Sequence, residues 1–443
     1  MTRIWLPRKV EDIIEKIQAA GYEAYAVGGC IRDSILGKEP DDWDITTSAK
    51  PEEVKKLFDR TIDTGIRHGT VTVMVGKEGF EITTYRIDGK YEDSRHPKDV
   101  TFTSNLREDL RRRDFTVNAM AYNPKEGLID LYEGMQDMEC GLIRCVGDAK
   151  ERFTEDALRM MRAVRFAAQL GYTIEEKTKE AIRELAPTIR KISAERIQAE
   201  LVKLMISDHP DFIRIAYETG ITGQILPEFD ICMKTEQHNP HHCYSVGEHI
   251  LHTLSYVKAD KILRLAMLFH DIGKPRTRTV DAEGITHNHG HAAVGEEMAV
   301  SILKRLKFDN DTIDRVGKLV RYHDLKIEND AKSVRRAVCR TGEDIFPLLF
   351  AVKYADIMAQ SEYQREEKQA ELETLKTIYH TVIAEKDCLS LKDLAVTGGD
   401  LLAAGMKPGR EIGLTLQKLL EVVLDKPECN RKEYLLSLLP LQD

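Results

Sequence analysis

Tyr25-Ala26-Val27-Gly28-Gly29-Cys30-Ile31-Arg32-Asp33-Ser34-Ile35-Leu36-Gly37, followed by Asp41-Asp42-Trp43-Asp44-Ile45-Thr46-Thr47, is the stretch on which the reading of this chain turns. The apolar run over 24–27 reads as a buried strand, the glycine pair as a tight turn, and the amphipathic segment 31–36 as the start of a helix. A turn of this kind presents backbone N–H groups suited to phosphate oxygens. Asp42 and Asp44 are separated by one residue. On a strand such residues share a face, so both carboxylates can hold the same divalent metals. Each feature alone is commonplace, since most glycine pairs are plain turns and most paired acids are solvated surface. Together, a phosphate cradle beside paired carboxylates is what nucleotidyl transfer requires.

A chain of 443 residues is long enough for several domains with large cores. With 42% hydrophobic and 31% charged residues it has the composition of an ordinary soluble protein, and no apolar run reaches transmembrane length. The start, Met1-Thr2-Arg3-Ile4-Trp5, lacks the apolar core of a signal peptide. Eight cysteines without a Cys-x-x-Cys pair read as reduced thiols, so a cytoplasmic location without a membrane partner is expected. The net charge of −9 argues mildly against nucleic acid, but basic residues cluster locally: Arg107, Arg111, Arg112 and Arg113; Arg159, Arg162 and Arg165; Arg190, Lys191 and Arg196. Such patches bind phosphates even on an acidic chain, whereas the plainer reading of any one of them is a solvated helix face.

Residues 1–145 alternate helical and strand-like segments. The spacing predicts an amphipathic helix over 10–20 and two strands, 70–75 and 80–85, joined by a turn at 76–79. Glu81 on the second strand is either a third carboxylate for the metal site or an exposed strand acid. The polar, turn-rich segment 88–97 reads as a mobile loop. Glu108-Asp109-Leu110-Arg111-Arg112-Arg113-Asp114-Phe115-Thr116-Val117-Asn118-Ala119 reads as one helix-forming segment. Its arginines can pair with phosphate, and Asp114 and Asn118 can bond ribose hydroxyls. Residues 153–171 read as a further helix with Gly171 as its C-cap. On it Glu155, Arg159 and Arg162 share a face, while Asp156 and Arg159 stand at i and i+3. Taken alone, that pattern predicts intrahelical salt bridges worth about 0.2–0.5 kcal/mol each.

From about residue 235 histidines become frequent. His249 lies at the start of an apolar helix, His270-Asp271 ends another, His287, His289 and His291 alternate, His323-Asp324 follows, and Asp356 sits in Tyr354-Ala355-Asp356-Ile357-Met358. Imidazole and carboxylate suit Mn, Fe, Ni or Mg-type ions, although a single His-Asp pair is usually structural. Residues 365–443 are leucine-rich and helical, with 400–413 a turn that feeds an amphipathic helix carrying Leu416, Leu419 and Leu420.

The string Gly-Gly-x-x-Arg-Asp-x-x-x-Gly with Asp-x-Asp-x-x-Thr resembles the first motif of the DNA polymerase beta nucleotidyltransferase superfamily. Within it, the string looks like the class II branch of tRNA nucleotidyltransferases and bacterial poly(A) polymerases. The resemblance implies that Asp42 and Asp44 hold two Mg²⁺ ions, one activating the tRNA 3′-hydroxyl for attack on the α-phosphate and one stabilising the leaving pyrophosphate. It also implies that Gly28, Gly29 and Arg32 contact the triphosphate. Arg-Arg-Asp-Phe-Thr-x-Asn-Ala resembles the family's ribose-binding motif, which places Arg112, Arg113, Asp114 and Asn118 on the incoming nucleotide. Glu155-Asp156-x-x-Arg159 resembles its base-reading motif. Arg162 and Arg165 are further candidates for nucleotide binding, and Arg162 and Arg196 are candidate triphosphate or tRNA contacts.

The base chemistry agrees with that resemblance. Asp156 can accept from the exocyclic amine shared by cytosine and adenine, and Arg159 can donate to the adjacent ring nitrogen. Uracil and guanine would each leave buried groups unpaired, at about 1–3 kcal/mol per mismatch. The family's flexible loop falls at 88–97, and its presence argues against a CC-only enzyme; His96 departs from the arginine that many relatives carry there. The histidine series resembles the HD phosphohydrolase superfamily. That match implies a core set of His249, His270, Asp271 and Asp356, with His291 and His323 as the ligands of a second metal.

The expected fold is therefore an α/β nucleotidyltransferase head over 1–145, followed by an all-helical neck (146–205), body with the HD site (206–364) and tail (365–443). The expected function is untemplated addition of C, C and A from CTP and ATP to tRNA, with Mg²⁺ in the head and a second divalent metal (Ni, Mn, Fe or Mg) in the HD site. The rivals are an A-adding specialist or poly(A) polymerase and, from other classes, an HD phosphohydrolase with a nucleotide-sensing head and a non-catalytic tRNA-binding chaperone.

Overall fold

The computed structural model describes residues 3–89, 100–238 and 243–439. The stretch 90–97 of the loop expected to be mobile, including His96, lies outside the described residues. The chain divides into two compact units, 1–227 and 228–443. The first holds the expected head and neck together with the first helices of the expected body.

In the first unit, helix Arg8–Ala19 forms because Val10, Ile13, Ile14 and Ile17 recur at helical spacing and are all buried on one face. It packs against strand Ala24–Val27, all four of whose residues are buried. That strand lies inside a seven-stranded sheet. The order is Thr61–Gly65, Thr70–Val75, Glu78–Thr84, Ile45–Thr47, Ala24–Val27, Met120–Asn123, Gly127–Asp130. Neighbours in this sheet run antiparallel except Ile45–Thr47 and Glu78–Thr84, which are parallel. The hairpin expected around 76–79 is tighter than its sequence suggests. Val75 pairs with Glu78, so only Gly76 and Lys77 turn, with Gly76 at φ 67°.

Two segments expected to be single helices are broken. Helix Leu106–Arg111, N-capped by Asn105, stops at Arg112. Phe115 then bridges to Cys145, Thr116–Asn118 makes a 3₁₀ turn, and Met120–Asn123 joins the sheet. The reason is burial. Residues 114–123 are all buried, which leaves no polar face for a surface helix. In the neck, Ala149–Glu155 and Leu158–Leu170 are separate helices with Asp156 extended between them (φ −140°, ψ 104°). Asp156 Oδ1 accepts from Leu158 N at 3.0 Å, the local side-chain bond by which Asp competes with helix continuation. The expected C-cap holds, with Gly171 at φ 69°. Helix Ala194–Met205 packs against Leu158–Leu170.

The second unit is helical. Ser245, Asp260, Asp309 and Asp330 each accept a first-turn N–H and start the helices Val246–Leu254, Lys261–Phe269, Asn310–Tyr322 and Ala331–Thr341. At the C-terminal end, Thr397 and Asp400 form a capping box, and helices Gly398–Ala403 and Arg410–Asp425 enclose Leu401, Leu420, Val423 and Leu435. Buried Arg335 donates to Leu424 O and pairs with Asp387 at 2.9 Å, which ties helix Ala331–Thr341 to this tail. No helix among the described residues is long and apolar enough to cross a membrane.

Candidate active site

Asp44 stands one residue ahead of strand Ile45–Thr47 but is still in its ladder, because Val27 N donates to Asp44 O at 3.0 Å. The parallel register Ile45 to Ile82, carried one residue back, sets Asp44 beside Glu81. Burial raises the Asp44 carboxyl above its usual range. Asp42 and Glu81 add like-charge repulsion, and Arg113 partly offsets both. Like charge is thus crowded where Ile45–Thr47 meets Glu78–Thr84, and a hard divalent cation held there would relieve it. The acid expected to be a third ligand or a bystander is thus in the electrostatic field of the pair.

In the glycine turn one of the N–H groups expected to face phosphate is already engaged. Gly28 N is not presented to a ligand; it donates to Met120 O within the sheet. What Gly28 contributes is room. It takes φ 88°, ψ −133°, and a Cβ there would lie 3.0 Å from Arg113 Nη1. Arg113 is thereby seated between the Gly28 turn and the Asp44 carboxylate. Desolvation lowers its pKa, with Asp109 and Asp44 opposing that shift.

A continuous polar chain joins head to neck. Arg32 Nη1 donates to Asn118 Oδ1 at 2.6 Å, Asn118 Nδ2 donates to Asp114 Oδ1 at 3.2 Å, and Arg162 Nε donates to Asp114 Oδ2 at 2.7 Å. Burial alone would raise Asp114, but Arg162, then Arg159 and Asn118, outweigh it and hold the carboxyl well below the usual range. Arg112 is bound to buried Asp109, whose other oxygen accepts from Thr46. Asp156 pairs with Arg196 at 2.7 Å rather than with Arg159. Arg159 is held by Glu155 at 2.5 Å and by the carbonyls of Arg152 and Arg112. Arg165 is buried against Glu200 and Gln169 and stacks 3.8 Å above the Phe166 ring, a placement internal to the neck.

The head matches the family model "Poly A polymerase head domain" over residues 24–144. Residues 171–233 match a model for an RNA and SrmB-binding site of polymerase A, and 288–439 match "tRNA nucleotidyltransferase domain 2". The chain is 38% identical to the CCA-adding enzyme of Lactiplantibacillus plantarum over 429 residues, covering 96% of this chain and 94% of that protein. The chain belongs to the CCA-adding enzyme family. The CCA-adding enzyme of Enterococcus faecalis is 35% identical over 97% of this chain and 95% of its own length. The structure of the Bacillus stearothermophilus CCA-adding enzyme in complex with CTP superposes with a TM-score of 0.71 at 27% identity, over 98% of both chains. That agreement covers the mixed α/β head sheet and the helical remainder.

The second unit of this CCA-adding family member carries a separate cluster, and it gathers every histidine and acid expected of it. Among the described residues, two trios bring ligand atoms within 4.8 Å of one another: His249, His270 and Asp271, and Asp271, His291 and His323. Each ring points its Nδ1 at a backbone carbonyl: His249 at Ala359 O, His270 at Met267 O, His291 at Asn288 O and His323 at Val320 O. With Nδ1 donating, every Nε2 is left with a lone pair. The Nε2 atoms of His249 and His270 then meet at 3.3 Å, and those of His291 and His323 at 3.1 Å. His249 Nε2 also lies 2.9 Å from Asp356 Oδ1. Asp271 sits between the pairs, with Oδ2 3.4 Å from His270 and Oδ1 3.5 Å from His291. Neither of its oxygens accepts a well-formed hydrogen bond, and Lys274 Nζ at 2.7 Å is its ion-pair partner. Acceptor facing acceptor around a buried carboxylate is the chemistry of a divalent-metal centre.

Sequence reasoning passed over Asp109, Phe166, Glu200 and Lys274. Asp109 was detectable from its i+3 and i+4 spacing to Arg112 and Arg113. Lys274 stands three residues after Asp271 on the same short turn. Phe166, beneath Arg32, Arg162 and Arg165, and Glu200, from another helix, leave no local signal.

Proposed function

We propose that this member of the CCA-adding family extends tRNA 3′ ends with C, C and A from CTP and ATP, and that it does so with the head and neck residues described above. The observation that carries the site assignment is the parallel register that brings Asp44 beside Glu81, with Asp42 and Arg113 in the field of the same carboxylate. Asp42 and Asp44, with Glu81 alongside, would hold Mg²⁺, which would supply Lewis-acid activation of the attacking hydroxyl and charge neutralisation at the leaving pyrophosphate. Arg113 and Arg32 face the triphosphate, and Gly28 keeps the approach open. Asp114 and Asn118, already linked to each other, orient the ribose. Asp156 and Arg159 read the base by accepting from the exocyclic amine and donating to the ring. Arg162 fixes Asp114, and Arg165 holds the neck helix in place. The helical remainder, 206–364 and 365–443, grips tRNA by shape and backbone. Relatives of this fold have been captured with CTP, with ATP and with tRNA, in agreement with this partner set. A cytoplasmic site of action belongs to this reading, in keeping with eight cysteines that are all free thiols.

The test uses three tRNA transcripts, ending before CCA, after C and after CC, each given CTP, ATP or both with Mg²⁺. Addition of C, C and A followed by arrest is the expected result. A alone on the CC-ended transcript would reassign the chain as an A-adding specialist, and a long A tract as a poly(A) polymerase.

The second unit supports a second activity. The convergence of four Nε2 lone pairs on Asp271 favours a two-metal phosphoester hydrolase of the HD type. His249, His270, Asp271 and Asp356 would hold one ion, and Asp271, His291 and His323 the other. Metal analysis of the purified protein is expected to find Ni, Mn, Fe or Mg that is lost in Asp271→Ala. Phosphatase activity no greater than that of the variant would remove the hydrolase reading.

A further inference from the structure

We infer that Arg196 is a specificity-determining positioning residue: it locks Asp156 as an oriented acceptor and so sets the discrimination against uracil. The inference rests on the reading of Asp156 as the base contact. Asp156 occupies the break between helices Ala149–Glu155 and Leu158–Leu170, where its backbone is extended: its N–H donates to Arg152 O of the first and its carbonyl accepts from Arg159 N of the second, which fixes the backbone but leaves the side chain to find its own partners. Its side chain would rotate there unless something held it. Leu158 N holds Oδ1 at 3.0 Å. Arg196, from helix Ala194–Met205, grips both oxygens, Nη1 to Oδ1 at 3.3 Å and Nη2 to Oδ2 at 2.7 Å.

A carboxylate offers about four acceptor positions. Three are thus taken by protein donors, and one on Oδ2 is left over. A planar guanidinium gripping both oxygens fixes the plane of the carboxylate as well as its place, which a single ammonium cannot do. The residual position accepts one N–H. Cytosine and adenine supply it with their exocyclic amine, whereas uracil presents a carbonyl to an acceptor that cannot turn away. Arg159 is fixed independently, by Glu155 and by two carbonyls of the preceding segments. Each of the two base-reading groups therefore has its own anchor, and the anchor of Asp156 comes from a different helix.

The experiment measures kcat/KM for CTP and UTP on a tRNA transcript ending before CCA, in the full chain and in Arg196→Ala, Arg196→Lys, Asp156→Ala and the Arg196→Ala/Asp156→Ala double variant, with thermal unfolding of each. A loose carboxylate should lower CTP use on the order of tenfold to a hundredfold while leaving UTP use nearly unchanged, so that the CTP/UTP ratio falls by the same factor. Arg196→Lys should restore part of that ratio, and Arg196→Ala should change it no further once Asp156 is gone. Equal losses for both nucleotides in Arg196→Ala and Arg196→Lys would mean that the pair is only structural, and would overturn the inference. An unchanged ratio in Asp156→Ala would instead overturn the base-reading assignment itself. If Arg196→Ala does not fold, Arg196→Lys against Asp156→Ala decides the question alone.

Discussion

Asp114 shows how one buried carboxylate can be both scaffold and ligand. Its oxygens are shared between Phe115 N, Asn118 and Arg162, and the Arg162 charge keeps it ionised despite burial. A carboxyl whose folded-state pKa lies below its unfolded value stabilises the fold above the unfolded value, and that contribution disappears as the pH falls through the folded one. Asp114→Asn should therefore cost about 1–3 kcal/mol in urea unfolding at neutral pH. The deficit should stay flat down to about pH 5 and narrow below about pH 4, where the unfolded chain's aspartates protonate. Asp44 should behave differently. Asp44→Asn keeps shape and removes charge from a crowded acidic site, so nucleotide incorporation should fall at least about a hundredfold with no loss of melting temperature. A variant that melts early would show Asp44 to be structural.

Single elements explain where geometry depends on the absence of a side chain. Gly28→Ala would place a Cβ 3.0 Å from Arg113 in a backbone region that favours glycine, at about 1–3 kcal/mol of strain, and should cut incorporation by displacing Arg113. Gly273 is tighter. A Cβ there would lie 2.2 Å from His291 O and 2.6 Å from Gly295 N, so Gly273→Ala must push helix His291–Arg305 away from His270-Asp271. Metal analysis should then show the second-unit ions lost, while addition of C and A by the head persists.

This is also the scale at which sequence and structure part company. Strand 24–27, helix 8–19, the Gly171 cap and the histidine cluster were legible because each is written in local spacing or residue type. The breaks at Arg112 and Asp156 were not. Both segments have good helical spacing, and only burial against the sheet and a side-chain bond to Leu158 N override it. The pairings of Arg196 with Asp156 and of Glu200 with Arg165 were likewise hidden, since each joins residues 35 or more apart in the chain, although Arg196 itself stood out as a basic residue.

At the scale of the whole molecule, the acids of the head, Asp42, Asp44 and Glu81, and the His/Asp cluster around Asp271 belong to separate compact units. Asp42→Ala should abolish tRNA extension and leave any phosphatase activity intact, and Asp271→Ala should do the reverse. Loss of both activities in either variant, with the fold intact by circular dichroism, would show the two chemistries to be one.

The sheet order carries a consequence for how this protein is made. Ala24–Val27, at the heart of the head, has Ile45–Thr47 on one side and Met120–Asn123 on the other, and Asp44 meets Glu81 only once Glu78–Thr84 has been added. A ribosome releasing 5–20 residues per second needs roughly 7–26 s to deliver the first 130 residues. For all of that time the central strand lacks its last neighbour. Until then one edge of the buried central strand is unpaired, whereas Asp44 and Glu81 need only the first 84 residues to meet, so the acids of the head assemble before its sheet is closed.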